Sequence, residues 1–183
     1  MDIKISKGAD IKLKGSADRV YANVSSSKYY AIKPTDFHLL TPKMVVKVGD
    51  YVEAGDVLFY DKNFDSIKFT SPVSGSVIDI LRGEKRKILE VVVEAEKEIK
   101  YKKFEIEDLA KLNKQQIVDH MLNAGLWPLI RQRPFATIAN PMDSPKAIFI
   151  SGFDSSPLAP DNDFIFHGDD NIFQLGLDLV THL

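Results

Sequence analysis

The chain has 183 residues, 44% hydrophobic and 27% charged, with formal net charge −2 and no cysteine. That length suits one large domain or two small ones with a real apolar core; the missing thiols exclude a disulfide framework, a thiolate zinc site and a cysteine-held iron–sulfur cluster. No apolar run approaches the roughly 18 residues a transmembrane helix needs, the opening MDIKISKGAD is too polar for a signal peptide, and no basic stripe or aromatic-plus-basic sheet pattern points to nucleic acid.

The first hundred residues read as strands and turns. Ile3-Lys4-Ile5 and Ile11-Lys12-Leu13-Lys14 alternate apolar and polar around Gly8 and end at Gly15, which predicts a hairpin of half-buried strands. Residues 16–30 are less legible, with Ser25-Ser26-Ser27 marking a turn or loose loop. From Met44 short β-rich runs (MVVKV, YVEA, VLFY) are separated by Gly49-Asp50 and Gly55-Asp56, and glycine supplies the positive φ that tight turns need. IKFTSPV (67–73) and VIDIL (77–81) continue the series, Arg82-Gly83-Glu84-Lys85 reads as a hairpin turn, and residues 88–93 return as a strand. So many short strands predict a small sandwich or barrel over residues 1–100.

The pattern changes near residue 105. Asn113 with Gln116 three positions on, then IVDHML and Asn123-Ala124-Gly125, predicts a capped helix whose stripe of Ile117, Met121 and Leu122 packs a core. Residues 101–146 are thus expected to form a helical connector, ending in the loop ATIANPMDSPK (136–146). AIFISGF (147–153) is a continuous apolar run of the kind that forms a strand buried on both faces. IFQLGLDLVTHL follows with helical spacing at 172, 175, 179 and 183 and with Gly176 as a close-packing point. One βα unit cannot cover both faces of a sheet, so residues 147–183 either pack on the first domain or, the favoured expectation, are the first βα unit of a truncated α/β domain. Residues 1–100 and 101–150 each carry +2, whereas 151–183 hold six carboxylates and no base. This acidic tract reads as a solvated face, or as one turned toward something basic.

VKVGDYVEAGDVLF with Ser71-Pro72-Val73-Ser74-Gly75-Ser76-Val77 resembles the biotinyl/lipoyl carrier-domain family, V-x-x-G-D-x-V-x-x-G-x-x-L followed by Ser/Ala-Pro-x-x-Gly-x-Val. The resemblance implies a barrel-sandwich hybrid in which Gly49 and Gly55 make tight turns, Val52, Val57 and Leu58 feed the core, and Pro72 opens a strand. Asp61-Lys62 lies ten residues before Pro72 and Lys68 only four before it. Neither lysine sits as an acceptor does, so the fold is expected without the carrier function; a biotin- or lipoate-carrying module is the rival reading.

Further blocks resemble a narrower family, the A subunits of bacterial sodium-translocating NADH:quinone reductases. They are Val46-Lys47-Val48-Gly49-Asp50, Leu58-Phe59-Tyr60-Asp61-Lys62, Phe69 to Gly75, Arg82-Gly83-Glu84-Lys85-Arg86, Gly125-Leu126-Trp127, Arg131-Gln132-Arg133-Pro134-Phe135 and Asp154-Ser155-Ser156-Pro157-Leu158-Ala159. They recur in order over most of residues 36–183. The resemblance implies a mixed architecture: a barrel-sandwich domain, a helical connector and the start of a Rossmann-like α/β domain of a longer protein. It also implies a peripheral subunit on the cytoplasmic side of a six-subunit inner-membrane complex that passes electrons from NADH to ubiquinone and moves Na⁺ outward. The resemblance further associates the chain with the ubiquinone end and with complex assembly; a purely structural scaffold that never touches quinone is a second rival reading. Flavins and iron centres are expected on other subunits, no cofactor is expected on this chain, and no turnover is expected from it alone.

Trp127, Arg131, Arg133 and Phe135 are candidate contacts for a partner subunit or a quinone-accessible cleft, because arginine offers a rigid donor fork and stacks on aromatics. The bland alternative is a turn that packs Trp127 and Phe135 at a domain junction. Arg82, Lys85 and Arg86 form a candidate basic hairpin tip. His167 with Asp169 and Asp170 lacks the further ligands a metal requires, and His38, His120 and His182 stand alone, so no catalytic or metal-binding residue is predicted.

Overall fold

The computed structural model describes residues 8, 11, 13–15, 18–104 and 111–183. The strand expected at Ile3–Ile5 lies outside them. Of its expected partner, Ile11, Leu13 and Lys14 are exposed and in no strand.

Seven strands follow: β1 (Tyr29–Ile32), β2 (Pro42–Met44), β3 (Tyr51–Val52), β4 (Val57–Asp61), β5 (Lys68–Thr70), β6 (Gly75–Arg82) and β7 (Ile88–Ala95). They form two antiparallel sheets, β1-β7-β6-β3 and β2-β4-β5. Between the sheets the alternating apolar residues meet: Val52, Leu58, Phe59, Phe69, Val77, Val91 and Val93 are all buried in one cluster. Gly49 and Gly55 have φ of +95° and +100°, as their turns were expected to demand. The β2 strand ends at Met44, at the very start of the expected MVVKV run; Val45 and Val48 are exposed instead. Pro72 opens no strand, lying in the bend between β5 and β6, where its missing N–H breaks no ladder. Near it, the fully buried Ser74 donates from Oγ to the Glu96 carboxylate at 3.0 Å and accepts from the Lys100 N–H at 2.9 Å. Tyr51, Ser74 and Lys100 together hold the Glu96 carboxyl below its ordinary pKa.

Helix α1 (Lys114–Asn123) carries the anticipated capping box. The Asn113 side chain accepts from the Gln116 N–H and the Gln116 side chain accepts from the Asn113 N–H. Asn113→Ala is expected to cost about 1 kcal/mol, read as a lowered denaturation midpoint. Ile117, Val118 and Leu122 are the buried residues of the helix, and Met121 only flanks the core. Val118 and Leu122 join the same cluster as the sheets, so the connector packs directly on the strand-rich unit. A hairpin of β8 (Arg131–Gln132) and β9 (Thr137–Ile138) follows.

The run 147–153 is not the buried strand its composition predicts. It has no strand partner among the described residues, and Phe149 and Phe153 are 92% and 81% exposed. An apolar run becomes a strand only when another edge pairs with it. A short helix that the sequence does not announce, α2 (Asn162–Ile165), comes first, and the expected helical run then holds as α3 (Asp170–Val180). Nothing approaches a Cβ placed on Gly176, so it is no close-packing point here. One carboxylate of the acidic tract does find a base: Asp161 pairs with Arg19 at 2.6 Å, and Tyr21 stacks on Phe164 beside it. Among the described residues no helix is long and apolar enough to cross a membrane.

Candidate functional site

Two of the sequence candidates converge on a segment that sequence reasoning passed over. Between β1 and β2 the chain makes a short 3-10 turn (Pro34–Asp36) and then a tight turn in which the Leu40 N–H donates to the Phe37 carbonyl. Pro34 and Pro42 bracket this loop, and Leu39 takes a φ of +62°, a conformation disfavoured for a branched side chain. Phe37 packs edge-on against Phe69, which stacks on the fully buried Phe59. The Phe37 ring also meets the Arg131 guanidinium, 5.1 Å from its centroid. An unbroken file of rings thus runs from the core to a cation at the surface.

Across from this loop stands the β6–β7 hairpin. Arg82 ends β6, and Lys85 and Arg86 lie in its 3-10 turn with φ of +53° and +61°. Arg82 donates to the Arg86 carbonyl at 3.5 Å. Loop and hairpin enclose an open cleft of about 570 Å³, walled by Phe37, His38, Leu39 and Leu40 on one side and by Arg82, Arg86 and Lys87 on the other. None of Arg82, Lys85, Arg86 and Lys87 has a carboxylate partner at ion-pair distance among the described residues. The cleft therefore combines an apolar wall with hydrogen-bond donors that have no carboxylate partner among the described residues.

The other predicted residues are dispersed. Trp127 does not reach the surface: it is 5% exposed, sits in the turn Trp127–Leu129 and donates Nε1–H to the Ala139 carbonyl at 2.8 Å. It packs the junction, as the alternative reading held, whereas Phe135 takes no part in that packing and is 77% exposed. Arg133 lies nearby, exposed, between β8 and β9. Arg131 alone of this strip reaches the cleft's edge, through Phe37. Lys68 holds the Asn123 side chain at 2.6 Å and Lys62 lies exposed in the β4–β5 loop. His167, Asp169 and Asp170 form no metal-binding group, and no such group exists among the described residues. The signal for the missed loop was Phe37 with the adjacent Leu39-Leu40 between two prolines, too many apolar residues for an ordinary solvated connection.

The description "NqrA N-terminal barrel-sandwich hybrid domain" matches residues 3–96, and "NqrA second alpha/beta domain" matches residues 112–183. The chain belongs to the NqrA family. Its relatives include proteins named as the A subunit of Na⁺-translocating NADH-quinone reductase. The one from Marinomonas sp. (strain MWYL1) is 34% identical over 182 residues, 98% of this chain and 41% of that protein. Those from Pseudomonas aeruginosa PAO1 and Yersinia pestis are 34% and 36% identical over 183 residues, 99% of this chain and 41% of each. The chain thus spans about 41% of the length of the curated NqrA-family relatives it matches. Within the family description, β1–β7 and the cleft fall in the barrel-sandwich hybrid, while α1 and the 147–183 region fall in the second α/β domain. The mixed α and β architecture expected from the sequence is thereby the family's own.

Proposed function

We propose that this chain serves the quinone end of a Na⁺-translocating NADH–quinone reductase, as part of its peripheral A subunit, and that the quinone head group enters the cleft between Phe37 and Arg82. The observation that carries this reading is the cleft's make-up: Phe37 and Leu40 offer a flat apolar wall, and Arg82, Arg86 and His38 offer donors around it. A quinone presents a planar ring with two carbonyl acceptors. Its reduction to quinol takes two electrons and two protons, and negative charge builds on those oxygens as the electrons arrive. Arginines held against them stabilise that charge. The electrons come from flavins and iron centres on other subunits of a six-subunit complex, so this chain binds and orients quinone and does not turn over by itself. It works from the cytoplasmic side, beside membrane subunits, while Na⁺ is moved outward.

The test is binding of a short-chain ubiquinone in detergent micelles by wild type and by Arg82→Ala/Arg86→Ala. The double variant is expected to bind at least about ten-fold more weakly with an unchanged thermal midpoint, since both side chains are exposed. Equal affinity would remove quinone from this cleft and favour the scaffold reading. Intact mass after expression with a biotin or lipoate ligase addresses the rival: an adduct on Lys62 or Lys68 would reinstate the carrier function.

A further inference from the structure

We infer that the basic hairpin tip and the strained Leu39 turn form a membrane-docking surface that sets the cleft mouth against an anionic bilayer. The inference rests on the quinone reading for its purpose but on separate observations for its form. Arg82, Lys85, Arg86 and Lys87 lie within six residues of one another, all exposed, and none is paired with a carboxylate among the described residues. Asp36 and Glu84 are the only carboxylates on the two turns, so cations outnumber them two to one. Lys85 and Arg86 both hold positive φ as the central pair of the tight hairpin turn that the Lys87 N–H closes on the Glu84 carbonyl at 3.1 Å, which sets both at the exposed tip.

Opposite them, Leu39 is 71% exposed and also at positive φ, and it lines the same cleft as Arg82, Arg86 and Lys87. A bare leucine flanked by unpaired cations matches the layered chemistry of a bilayer surface. Phosphates take the cations, and the acyl boundary takes the apolar side chain. An acidic protein could take the same cations and bury the same leucine, and the measurement below separates it from lipid. The quinone supplies a further reason for the lipid choice. Its head reaches the cleft only if the isoprenoid tail can remain in hydrocarbon, which requires the mouth to open at the membrane.

Sedimentation of the protein with quinone-free vesicles tests this, comparing phosphatidylcholine alone with a mixture of about 70:30 phosphatidylcholine and phosphatidylglycerol at low and at raised salt. Wild type is expected to bind the anionic vesicles at least about ten-fold more tightly, with the preference lost as salt screens the surface. Each cation near the surface contributes about five-fold. Counting only two of the four as reaching the phosphates, replacing Arg82, Lys85, Arg86 and Lys87 together by alanine is expected to weaken binding by at least about twenty-fold. Leu39→Ser is expected to weaken it several-fold without changing the salt dependence. Lys97→Ala/Lys103→Ala, beyond the opposite end of β7, is expected to bind as wild type. Equal partition onto both vesicle types would overturn the inference, as would an unaffected four-residue variant, or binding to polyglutamate without binding to vesicles. Because the vesicles hold no quinone and the micelle assay needs no anionic lipid, failure of either reading leaves the other measurable.

Discussion

Gly75→Ala is expected to lose most or all of the folded barrel-sandwich unit, seen as a collapsed denaturation midpoint or an insoluble product. A Cβ at this position would lie 1.9 Å from the Glu94 carbonyl oxygen and 2.9 Å from its carbon, both backbone atoms that no rotamer change can move. The φ of +152° adds conformational strain for any L side chain. Together the strain and the forced backbone shift cost on the order of 3–5 kcal/mol, against a typical total of about 5–15 kcal/mol for a domain. The damage is central because Gly75 pairs with both Val52 of β3 and Ala95 of β7, and Ser74 beside it anchors Glu96 and Lys100. Gly49→Ala is the informative companion. Its φ of +95° is also positive, but nothing lies within 4 Å of the added methyl. It should cost only about 1–2 kcal/mol, the strain alone. A pair of variants with equal midpoints would mean that the Glu94 approach does not constrain the fold.

The contrast between these glycines also marks how far the sequence could be read. Local signals were legible: Gly-Asp pairs announced the turns, short β-rich runs between turn residues announced β4, β6 and β7, and the Asn113–Gln116 pair announced α1, whereas the alternation at Ile11, Leu13 and Lys14 gave no strand. Each of these depends on residues close together in the chain. What was not legible depends on the rest of the molecule. The run 147–153 has the composition of a buried strand, yet composition cannot supply the neighbouring edge that would pair with it. Arg82 and Arg131 were both singled out, but 49 positions separate them in the sequence. Only the fold shows that both approach the Pro34–Pro42 loop, where Arg131 lies on the Phe37 ring and Arg82 lines the cleft. Trp127 looked like a surface anchor because tryptophan and arginine cluster at interfaces. The Ala139 carbonyl, twelve residues on, gives its indole N–H a partner that sequence spacing does not reveal.

That buried indole carries the second large effect. Trp127→Ala is expected to destabilise the protein by about 3–5 kcal/mol through the cavity it leaves, and Trp127→Phe by about 1 kcal/mol if the lost hydrogen bond is the main term. The turn Trp127–Leu129 touches α1, β5 and β9 together, so the ring sits where the connector meets the strand-rich core. Trp127 is also the single tryptophan of the chain, which makes its emission a direct report of its own burial, blue-shifted when folded and red-shifted on unfolding. In the alanine variant, circular dichroism replaces that signal. The consequence reaches the cleft, because Trp127 holds Ala139 and Ala139 is bonded back to Ile130, one residue before Arg131. Loosening this junction should free Arg131 from Phe37, so faster amide exchange at Ile130–Ala139 is expected well below the global midpoint. If exchange there stays tied to global unfolding in Trp127→Phe as in wild type, the indole bond does not position Arg131. The placement of that cation against Phe37 would then have to come from the Phe37 loop itself.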